Sequence, residues 1–487
     1  MKNMMHLPRL IKDFSFLHFS WFEWLIILMV LFLSAQVNTL KNSLPLTLLI
    51  MLVGGIGFGL LAMRNMPLAL TLVLLISATS GITIGTGRTT PLPAGLLMIS
   101  FLAAIWLYRM ILVERQIKLK PSPLNLPLLA FLISAMISWL LGYVIWDWRL
   151  VVEKNILIVQ AGQYALFLFS FVAMFLTAHQ NFNERDLKRW MMIVIGIGLA
   201  EMAAELILGI YIGRNNGITG SVLVFPIILL AAQMLFNPQL KSWERIAIIV
   251  AVSLWLVFAY SNRNIKGIWV PTLIGLAILA LVRSWKLSLL GAVALGIVAW
   301  LKWDYLLTTL YLPEVQGTST IRPLIWQDIA GMVLPRSPFF GLGLANYFYY
   351  WNIPSLIPLS RIAAGWDTWN AWGYAIPSHN MFVDIFAQTG IIGLGLFLWG
   401  MAAALWVVIK VIRQLKPGFM RAYALGIFAG FSAMLAGSFL FADWLIPFVY
   451  NITITGFSHS VYTWILLGSV LGLYYRMKEE KGLEYAA

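Results

Sequence analysis

The sequence of 487 residues contains no cysteine and few charged side chains. Without cysteine the chain has no disulfide bonds and no metal site built from thiolates. Only 11% of its residues are charged and 61% are hydrophobic, with a mean hydropathy of +0.86, which excludes an ordinary soluble domain. We therefore predict that lipid surrounds most of the chain, where each helix satisfies its own backbone hydrogen bonds.

Acidic residues are also scarce, since 19 Asp and Glu stand against 33 Lys and Arg and the net charge is +14. The basic residues fall between apolar runs rather than in one patch, which argues against a nucleic-acid partner. They indicate topology instead, because cytoplasmic loops retain positive charge. With both termini in the cytoplasm, 22 of the 33 basic residues lie on the cytoplasmic side. This orientation requires an even number of spanning helices.

The apolar runs, with no strand pattern among them, predict an all-α polytopic membrane bundle of about 14 transmembrane helices. The predicted spans are 19–36, 44–63, 66–84, 92–113, 126–146, 156–177, 191–212, 221–236, 246–260, 267–282, 287–301, 381–409, 422–441 and 461–475. Residues 1–301 thus form eleven helices after an N-terminal interfacial segment. Residues 302–380 form a long, partly helical extracytoplasmic loop, and residues 381–487 form the last three helices and a cytoplasmic tail.

Basic residues on the predicted outer side run against the topology rule. Eleven Lys and Arg lie there, and those considered for function are Arg214, Arg263, Lys266, Arg322, Arg336 and Arg361, together with His379. Arginine suits diphosphate recognition because its planar guanidinium donates several hydrogen bonds and stays charged. Arg263 equally fits a snorkelling residue at a helix end. Arg322 begins a predicted helix that leads into a tight loop containing Gly341 and Gly343, for which a packed re-entrant segment is the structural alternative.

His379 lies at the predicted outer rim, just before the span that begins at residue 381. A neutral imidazole accepts a proton near neutral pH, as activation of a hydroxyl nucleophile requires, although a lone histidine is more often structural. Asp384 and Gln388 share one helix face, where they either orient reacting groups or join neighbouring helices. His459 is the reserve candidate.

Aromatic residues are concentrated in the long loop, where flat rings offer surfaces for stacking on sugars. They are Trp366, Trp369, Trp372 and Tyr374, with Tyr347, Tyr349, Tyr350 and Trp351 nearby. The favoured alternative is the general enrichment of aromatic residues at membrane interfaces. Glu201 and Glu205 share a face of the span 191–212, at a depth where a carboxylate is costly, and they are the best argument for a transporter.

Three segments in the second half of the chain carry a specific order of residues. They are SNRNIKG at 261–267, TIRPLIWQDIAGMVLPRSPFFGLGLANY at 320–347 and SHNMFVDIFAQTGIIGLGLFLW at 378–399. The order is an arginine-led helix, P-x-x-G-x-G, a variable loop, and His-Asn leading into a span with a Q-T-G-I-I-G segment. In this order the chain resembles the O-antigen ligase and polymerase superfamily. The stretch GRNNGITGSVLVFP at 213–226 resembles that family's earlier outer loop, although its asparagine-rich segment is weak.

This resemblance implies a glycosyltransferase of the bacterial inner membrane, with no metal or other cofactor and with its active site on the periplasmic face. Its donor is a glycan linked to undecaprenyl diphosphate, and its acceptor is a hydroxyl of a glycan or of a lipid-linked molecule. Arg263 and Arg322 match the arginines that hold the diphosphate, and His379 matches the histidine that activates the acceptor. Arg214 or Arg336 is expected to assist them. Further predicted substrate-binding residues are Lys266, Asp384, Trp366 and Trp369.

Other functions compete with this interpretation. A lipid-linked-oligosaccharide flippase or another transporter would use Glu201 and Glu205 and would not need His379; it is disfavoured because one long outer loop concentrates the candidate residues. A dolichol-type glycosyltransferase with a catalytic carboxylate in its first outer loop is also disfavoured, since residues 37–43 contain no Asp or Glu. Ligases and polymerases share this architecture, and the sequence does not separate them.

Overall fold

A computed structural model describes most of the chain. The described residues are 44–79, 83–84, 92–117, 119–150, 155–208, 221–261, 266–301, 322–351, 353, 356, 378–440, 445–450 and 454–486. The predicted interfacial segment and the predicted span 19–36 lie outside them, as does most of the predicted loop 302–380.

The described chain is nearly all helical, as the apolar runs predict. Its α-helices are α1 (Leu44–Arg64), α2 (Met66–Thr79), α3 (Ala94–Tyr108), α4 (Asn125–Val144), α5 (Ile156–Ala178), α6 (Glu184–Leu208), α7 (Ser221–Phe236), α8 (Ser242–Ser261), α9 (Lys266–Arg283), α10 (Trp285–Leu301), α11 (Arg322–Arg336), α12 (Tyr347–Tyr350), α13 (Met381–Gln414), α14 (Phe419–Leu440) and α15 (Phe457–Ala486). A π-helical turn at Arg109–Val113 extends α3, and a 3-10 turn at Ile454–Gly456 precedes α15. Each predicted span from 44–63 onwards overlaps one of these helices.

Seven helical segments in the described part of the chain are long and apolar enough to cross a membrane. They are Ala94–Val113, Asn125–Val144, Ile156–Ala178, Ser242–Ala259, Met381–Gln414, Phe419–Phe439 and Ile454–Glu480. Shorter apolar helices lie at Met66–Ser77, Val222–Phe236 and Gly267–Arg283. The structure therefore agrees with a helical membrane protein, while the number of about 14 spans stays a prediction.

A pair of two-residue strands interrupts the helices between α2 and α3. β1 (Thr83–Ile84) pairs antiparallel with β2 (Leu92–Pro93). The sequence predicted no strand and extended the preceding span to residue 84, whereas α2 ends at Thr79. Both predictions were wrong here because two residues are too few to show the alternation by which strands are recognised.

One hydrophobic core joins most of the helices. Within it, α15 packs along α5, α13 packs along α4, and α14 packs against α7 and α9. The contact between α5 and α15 is close, because a Cβ on Gly468 would lie 2.3 Å from the carbonyl oxygen of Met174. Small residues allow such packing in lipid, where no hydrophobic effect draws helices together.

A smaller core lies at the end of the bundle where α13 begins. It is built by α11, α12 and the loop between them, with Ile325, Ile329, Met332, Leu342, Tyr347, Tyr350, Trp351 and Ala387 of α13 among its buried residues. The 15 residues of α11 extend about 22 Å, less than the hydrocarbon core of a bilayer. The apolar face of α11 therefore packs on protein, and this packing holds α11 beside the start of α13.

Candidate functional site

The N-terminal end of α13 is fixed by its own cap and by α11. Asn380 is the N-cap residue, and its Oδ1 accepts hydrogen bonds from two backbone N–H groups of the first turn, at 3.0 and 3.3 Å. The indole Nε1 of Trp326 in α11 donates to the carbonyl oxygen of Ser378 at 2.9 Å. His379 lies between these two anchors, so its backbone is held on both sides.

His379 has a left-handed backbone conformation, with a φ of 52°. This conformation is uncommon outside glycine, although Asn, Asp and His are enriched in it. Burial and, second, the positive charge of Arg322 lower the pKa of the half-buried His379 imidazole from 6.5 to about 4. At neutral pH the ring is therefore uncharged, and one of its nitrogens is able to accept a proton.

Arg322 begins α11 and lies close enough to His379 for its charge to act on the imidazole. Its side chain is half-buried, and this burial lowers the pKa of the guanidinium. An arginine nevertheless stays charged at any physiological pH. Pro323 occupies the first turn of α11, which tolerates proline because the N–H groups there have no partner within the helix. The structure thus brings together two of the three predicted catalytic residues.

α13 is broken at Gly390, where φ is 66° and ψ is −167°. The loop between α11 and α12 pairs with the backbone on both sides of this break. Four hydrogen bonds of 2.8 to 3.2 Å form the pairing: Leu342 N to Ala387 O, Gly343 N to Gln388 O, Ile391 N to Pro338 O, and Ile392 N to Phe339 O. The loop therefore supplies donors to the helix end before the break and acceptors to the helix start after it.

Glycines make this close pairing possible. A Cβ on Gly390 would lie 2.3 Å from the carbonyl carbon of Phe339, and a Cβ on Gly341 would lie 2.5 Å from that of Gln388. Gly341 also has a φ of 72°, which glycine adopts without strain. The P-x-x-G-x-G and Q-T-G segments are thus packing partners. The glycine loop is therefore packed against α13, and whether it re-enters the membrane stays a prediction.

Gln388 extends the same joint through its side chain. Its Oε1 accepts a hydrogen bond from the N–H of Ala345 at 2.9 Å, and its Nε2 donates to the hydroxyl of Tyr450 at 3.0 Å. The Ser138 hydroxyl donates to the carbonyl oxygen of Gln388. Gln388 therefore joins neighbouring segments, which is one of the two roles that the sequence left open for it.

A buried polar network continues from the loop into α4 and α5. Asn346 donates to the carbonyl oxygen of Leu342 at 2.9 Å, and its Oδ1 accepts from the Nε2 of Gln160 at 2.6 Å. The Oε1 of Gln160 accepts from the Trp139 indole at 2.8 Å and from the Tyr143 hydroxyl. This network was not predicted from the sequence. A glutamine within an apolar span is the signal that could have indicated it.

Arg336 ends α11 and is engaged within the protein. Its Nη1 donates to the carbonyl oxygen of Met332 at 3.1 Å, and its Nη2 lies 3.4 Å from a carboxylate oxygen of Asp147. The guanidinium also lies over the ring of Tyr350, 5.5 Å from its centroid. Asp147 pairs in turn with Arg149 at 2.7 Å, and the hydrogen bond from Arg149 lowers the pKa of Asp147. Substrate binding by Arg336 stays a prediction. A substrate would have to compete with these contacts for the guanidinium.

The aromatic residues around α12 belong to the smaller core. Tyr347, Tyr350 and Trp351 are at most 1% exposed, and Tyr349 is 5% exposed. Tyr347 packs edge-to-face on Tyr450, with 4.5 Å between the ring centroids. These four side chains are therefore structural, because stacking on a sugar requires an accessible ring face.

Part of the predicted site lies outside the described residues. It comprises Arg214, Arg263, Arg361, Trp366 and Trp369. Lys266 is the first residue of α9. Asp384 and His459 are buried near the starts of α13 and α15, at 0% and 2% exposure. Within the described ranges, no group of three or more His, Asp or Glu side chains is placed to hold a metal ion.

Comparisons with known proteins give no family for this chain. No protein-family model matches it, and no curated protein matches it. A proposal of function therefore rests on the geometry of the site and on the resemblance of the three segments.

Proposed function

We propose that this protein is a membrane glycosyltransferase that moves a glycan from an undecaprenyl-diphosphate carrier to an acceptor hydroxyl. The observation that carries the proposal is that Arg322 and His379 share one site: the hydrogen bond from Trp326 to Ser378 joins α11 to the residue before His379, and the charge of Arg322 acts on the imidazole. These residues match the donor-binding arginine and the histidine of the resembled family. A cation and a base are needed together because the carrier diphosphate leaves as an anion while the acceptor hydroxyl loses a proton.

The proposed reaction is one displacement at the anomeric carbon of the donor. The acceptor oxygen forms a bond to this carbon, and the bond from the carbon to the diphosphate oxygen breaks with its electron pair leaving on the diphosphate. The proton of the acceptor hydroxyl passes to His379, and in-line attack inverts the anomeric configuration. Arg322, assisted by Arg263, offsets the charge that develops on the leaving group. Stabilisation of such charge is often the largest single catalytic effect.

Donor binding is expected to make His379 a better base. The charge of Arg322 is one of the two causes that hold the pKa of His379 near 4. A diphosphate bound to Arg322 offsets this charge and therefore raises the pKa of the imidazole toward neutral pH, where a general base is most effective. The base thus becomes competent when the donor is in place.

The substitution Arg322→Gln is expected to raise the pKa of His379. It removes a positive charge that disfavours the imidazolium, while burial, the larger cause, keeps the pKa below 6.5. The measurement is a pH titration by ¹⁵N NMR of histidine-labelled protein in detergent, with the signal assigned by its loss in His379→Asn. Arg149→Gln is the charge-matched control, because Arg149 is an exposed arginine of the loop that follows α4. An equal titration in wild type and Arg322→Gln would remove the observation on which the proposal rests.

The activity itself is tested by reconstituting the full chain in proteoliposomes with a labelled lipid-linked glycan. We expect new glycosidic bonds and release of undecaprenyl diphosphate. A ladder of products without lipid A–core identifies a polymerase, whereas a strict requirement for lipid A–core identifies a ligase. Movement of the intact labelled lipid across the bilayer, with no new glycosidic bond, would replace this proposal by a flippase.

A substitution at Glu201 distinguishes the glycosyltransferase from the transporter. Its carboxylate oxygens are buried, and it interacts electrostatically with Tyr462 of α15. Under the glycosyltransferase proposal, Glu201→Gln leaves the transfer rate close to that of wild type once folding is confirmed. Under the transporter alternative, the same substitution abolishes movement of the lipid, and His379→Asn has no effect on it.

A further inference from the structure

A basic cleft lies at the opposite end of α13 from His379. The cavity has a volume of about 490 Å³ and is lined by Arg245 of α8, Arg283 at the end of α9 and Arg421 of α14, together with residues from the ends of α7 and α13. On the predicted topology, this is the cytoplasmic face. None of the described residues that line the cleft is acidic.

Arg421 is the innermost of the three arginines. Its side chain is half-buried, whereas Arg245 and Arg283 are exposed at the rim. The Nε of Arg421 is buried and makes no hydrogen bond to any part of the chain that the structure describes. A buried charged donor of this kind costs free energy unless it meets an acceptor. The cleft therefore favours an anion that reaches inward to Arg421.

Positive charge at cytoplasmic helix ends is also expected from topology alone. Arginines that serve only topology are expected to remain solvated, as are the exposed side chains of Arg64, Arg109 and Arg413. The arginines of the cleft differ because three of them share one cavity, where like charges repel each other without an acid to offset them. The topology rule explains why these residues are positively charged. It does not explain why the three arginines share one cavity or why Arg421 is half-buried.

Apart from Asn237, the other described side chains that line the cleft are apolar. Met234 and Val282 are 39% and 49% exposed, Ile412 is half-buried and Leu425 is buried. An anion with a hydrocarbon tail thus meets guanidinium groups at its charged end and aliphatic side chains along its chain. A membrane phospholipid has this combination, and arginine recognises phosphate through several parallel hydrogen bonds.

We propose that the cleft formed by Arg245, Arg283 and Arg421 binds the phosphate headgroup of an anionic membrane lipid. This site is separate from the proposed transfer site, since the two lie at opposite ends of α13. The binding is independent of the proposed function, because it uses no residue of the His379 site. A bound lipid would hold together the ends of α8, α9 and α14.

The test is native mass spectrometry of the full chain in detergent, titrated with phosphatidylglycerol or with phosphatidylcholine. Wild-type protein is expected to retain one phosphatidylglycerol molecule more tightly than phosphatidylcholine. The triple variant Arg245→Gln, Arg283→Gln, Arg421→Gln is expected to bind it at least about ten-fold more weakly, since each charge-assisted hydrogen bond contributes on the order of a ten-fold change in Kd. The control Arg64→Gln, Arg109→Gln, Arg413→Gln removes the same charge from exposed positions and should retain wild-type affinity.

Single variants and a competition experiment complete the test. Single variants at the exposed Arg245 and Arg283 test the site without altering the half-buried Arg421, and each is expected to weaken binding by a smaller factor. Inorganic phosphate and glycerol 3-phosphate are added as competitors. Displacement of the lipid by either at millimolar concentration would show that the site takes free phosphate instead. Equal lipid affinity of the cleft variants and the control variant would overturn the proposal.

Discussion

Replacing His379 by asparagine is expected to lower the rate of glycosyl transfer by about 10²- to 10⁴-fold at saturating donor, the range over which a general base contributes. Asparagine is the appropriate substitution because the backbone at this position is left-handed, with a φ of 52°, and asparagine tolerates this conformation better than alanine. The variant therefore removes the imidazole without adding backbone strain. The measurement is the initial rate of transfer in proteoliposomes from the labelled lipid-linked donor.

Measurements of donor affinity are expected to distinguish the roles of His379 and Arg322. His379→Asn is expected to keep the donor affinity of wild type, because the imidazole acts on the acceptor. Arg322→Gln is expected to weaken donor binding by roughly ten- to hundred-fold, the effect of losing charge-assisted hydrogen bonds to phosphate, and to slow transfer as well. Unfolding curves of both variants control for loss of structure. Full transfer activity in folded His379→Asn would end the assignment of this residue as the base.

Replacing Gly390 by alanine is expected to destabilise the protein by about 4 kcal/mol or more. The backbone there combines a φ of 66° with a ψ of −167°, a region that is essentially restricted to glycine. The added Cβ would also lie 2.3 Å from the backbone of Phe339, where no flexible side chain is able to yield. The measurement is the free energy of unfolding in detergent titrated with a denaturant, alongside the yield of monodisperse protein.

Gly395 provides the matched control in the same helix. A Cβ at this position meets nothing within 4 Å, and the residue is exposed and helical. Gly395→Ala is therefore expected to be neutral or to stabilise the helix by up to about 1 kcal/mol. Comparable stability losses in the two alanine variants would contradict the interlocked arrangement of the glycine loop and the broken helix.

Hydropathy alone was sufficient to predict most of the helices. Long apolar runs set the positions of α4, α5 and α7 to within a few residues, because a chain in lipid has few alternatives to a helix. The short strands β1 and β2 were missed, since two residues are too few to show an alternating pattern. Local patterns in the sequence thus predicted the helices, but not the contacts that join separate segments.

In the site, too, individual residues were predicted but contacts between distant segments were not. Arg322 and His379 were chosen from residue chemistry and resemblance, and the structure brings them together. The contacts of Arg336 with Asp147 and Tyr350 were not predicted, because they join segments far apart in the sequence. The pairing of the glycine loop with the break at Gly390 was likewise not predicted, because the glycines predict a tight loop but not the segment that packs against it.

The backbone pairing around Gly390 also limits how far the loop after α11 can move relative to α13. If the loop after α11 slid along α13, the four hydrogen bonds around the break would be lost, and each buried group left without a partner would cost about 1–3 kcal/mol. Arg322 and His379 are therefore expected to keep a constant spacing from one cycle to the next. Under the proposed function, we therefore expect the glycan chain to move past a fixed pair of residues, rather than the protein to move around the glycan.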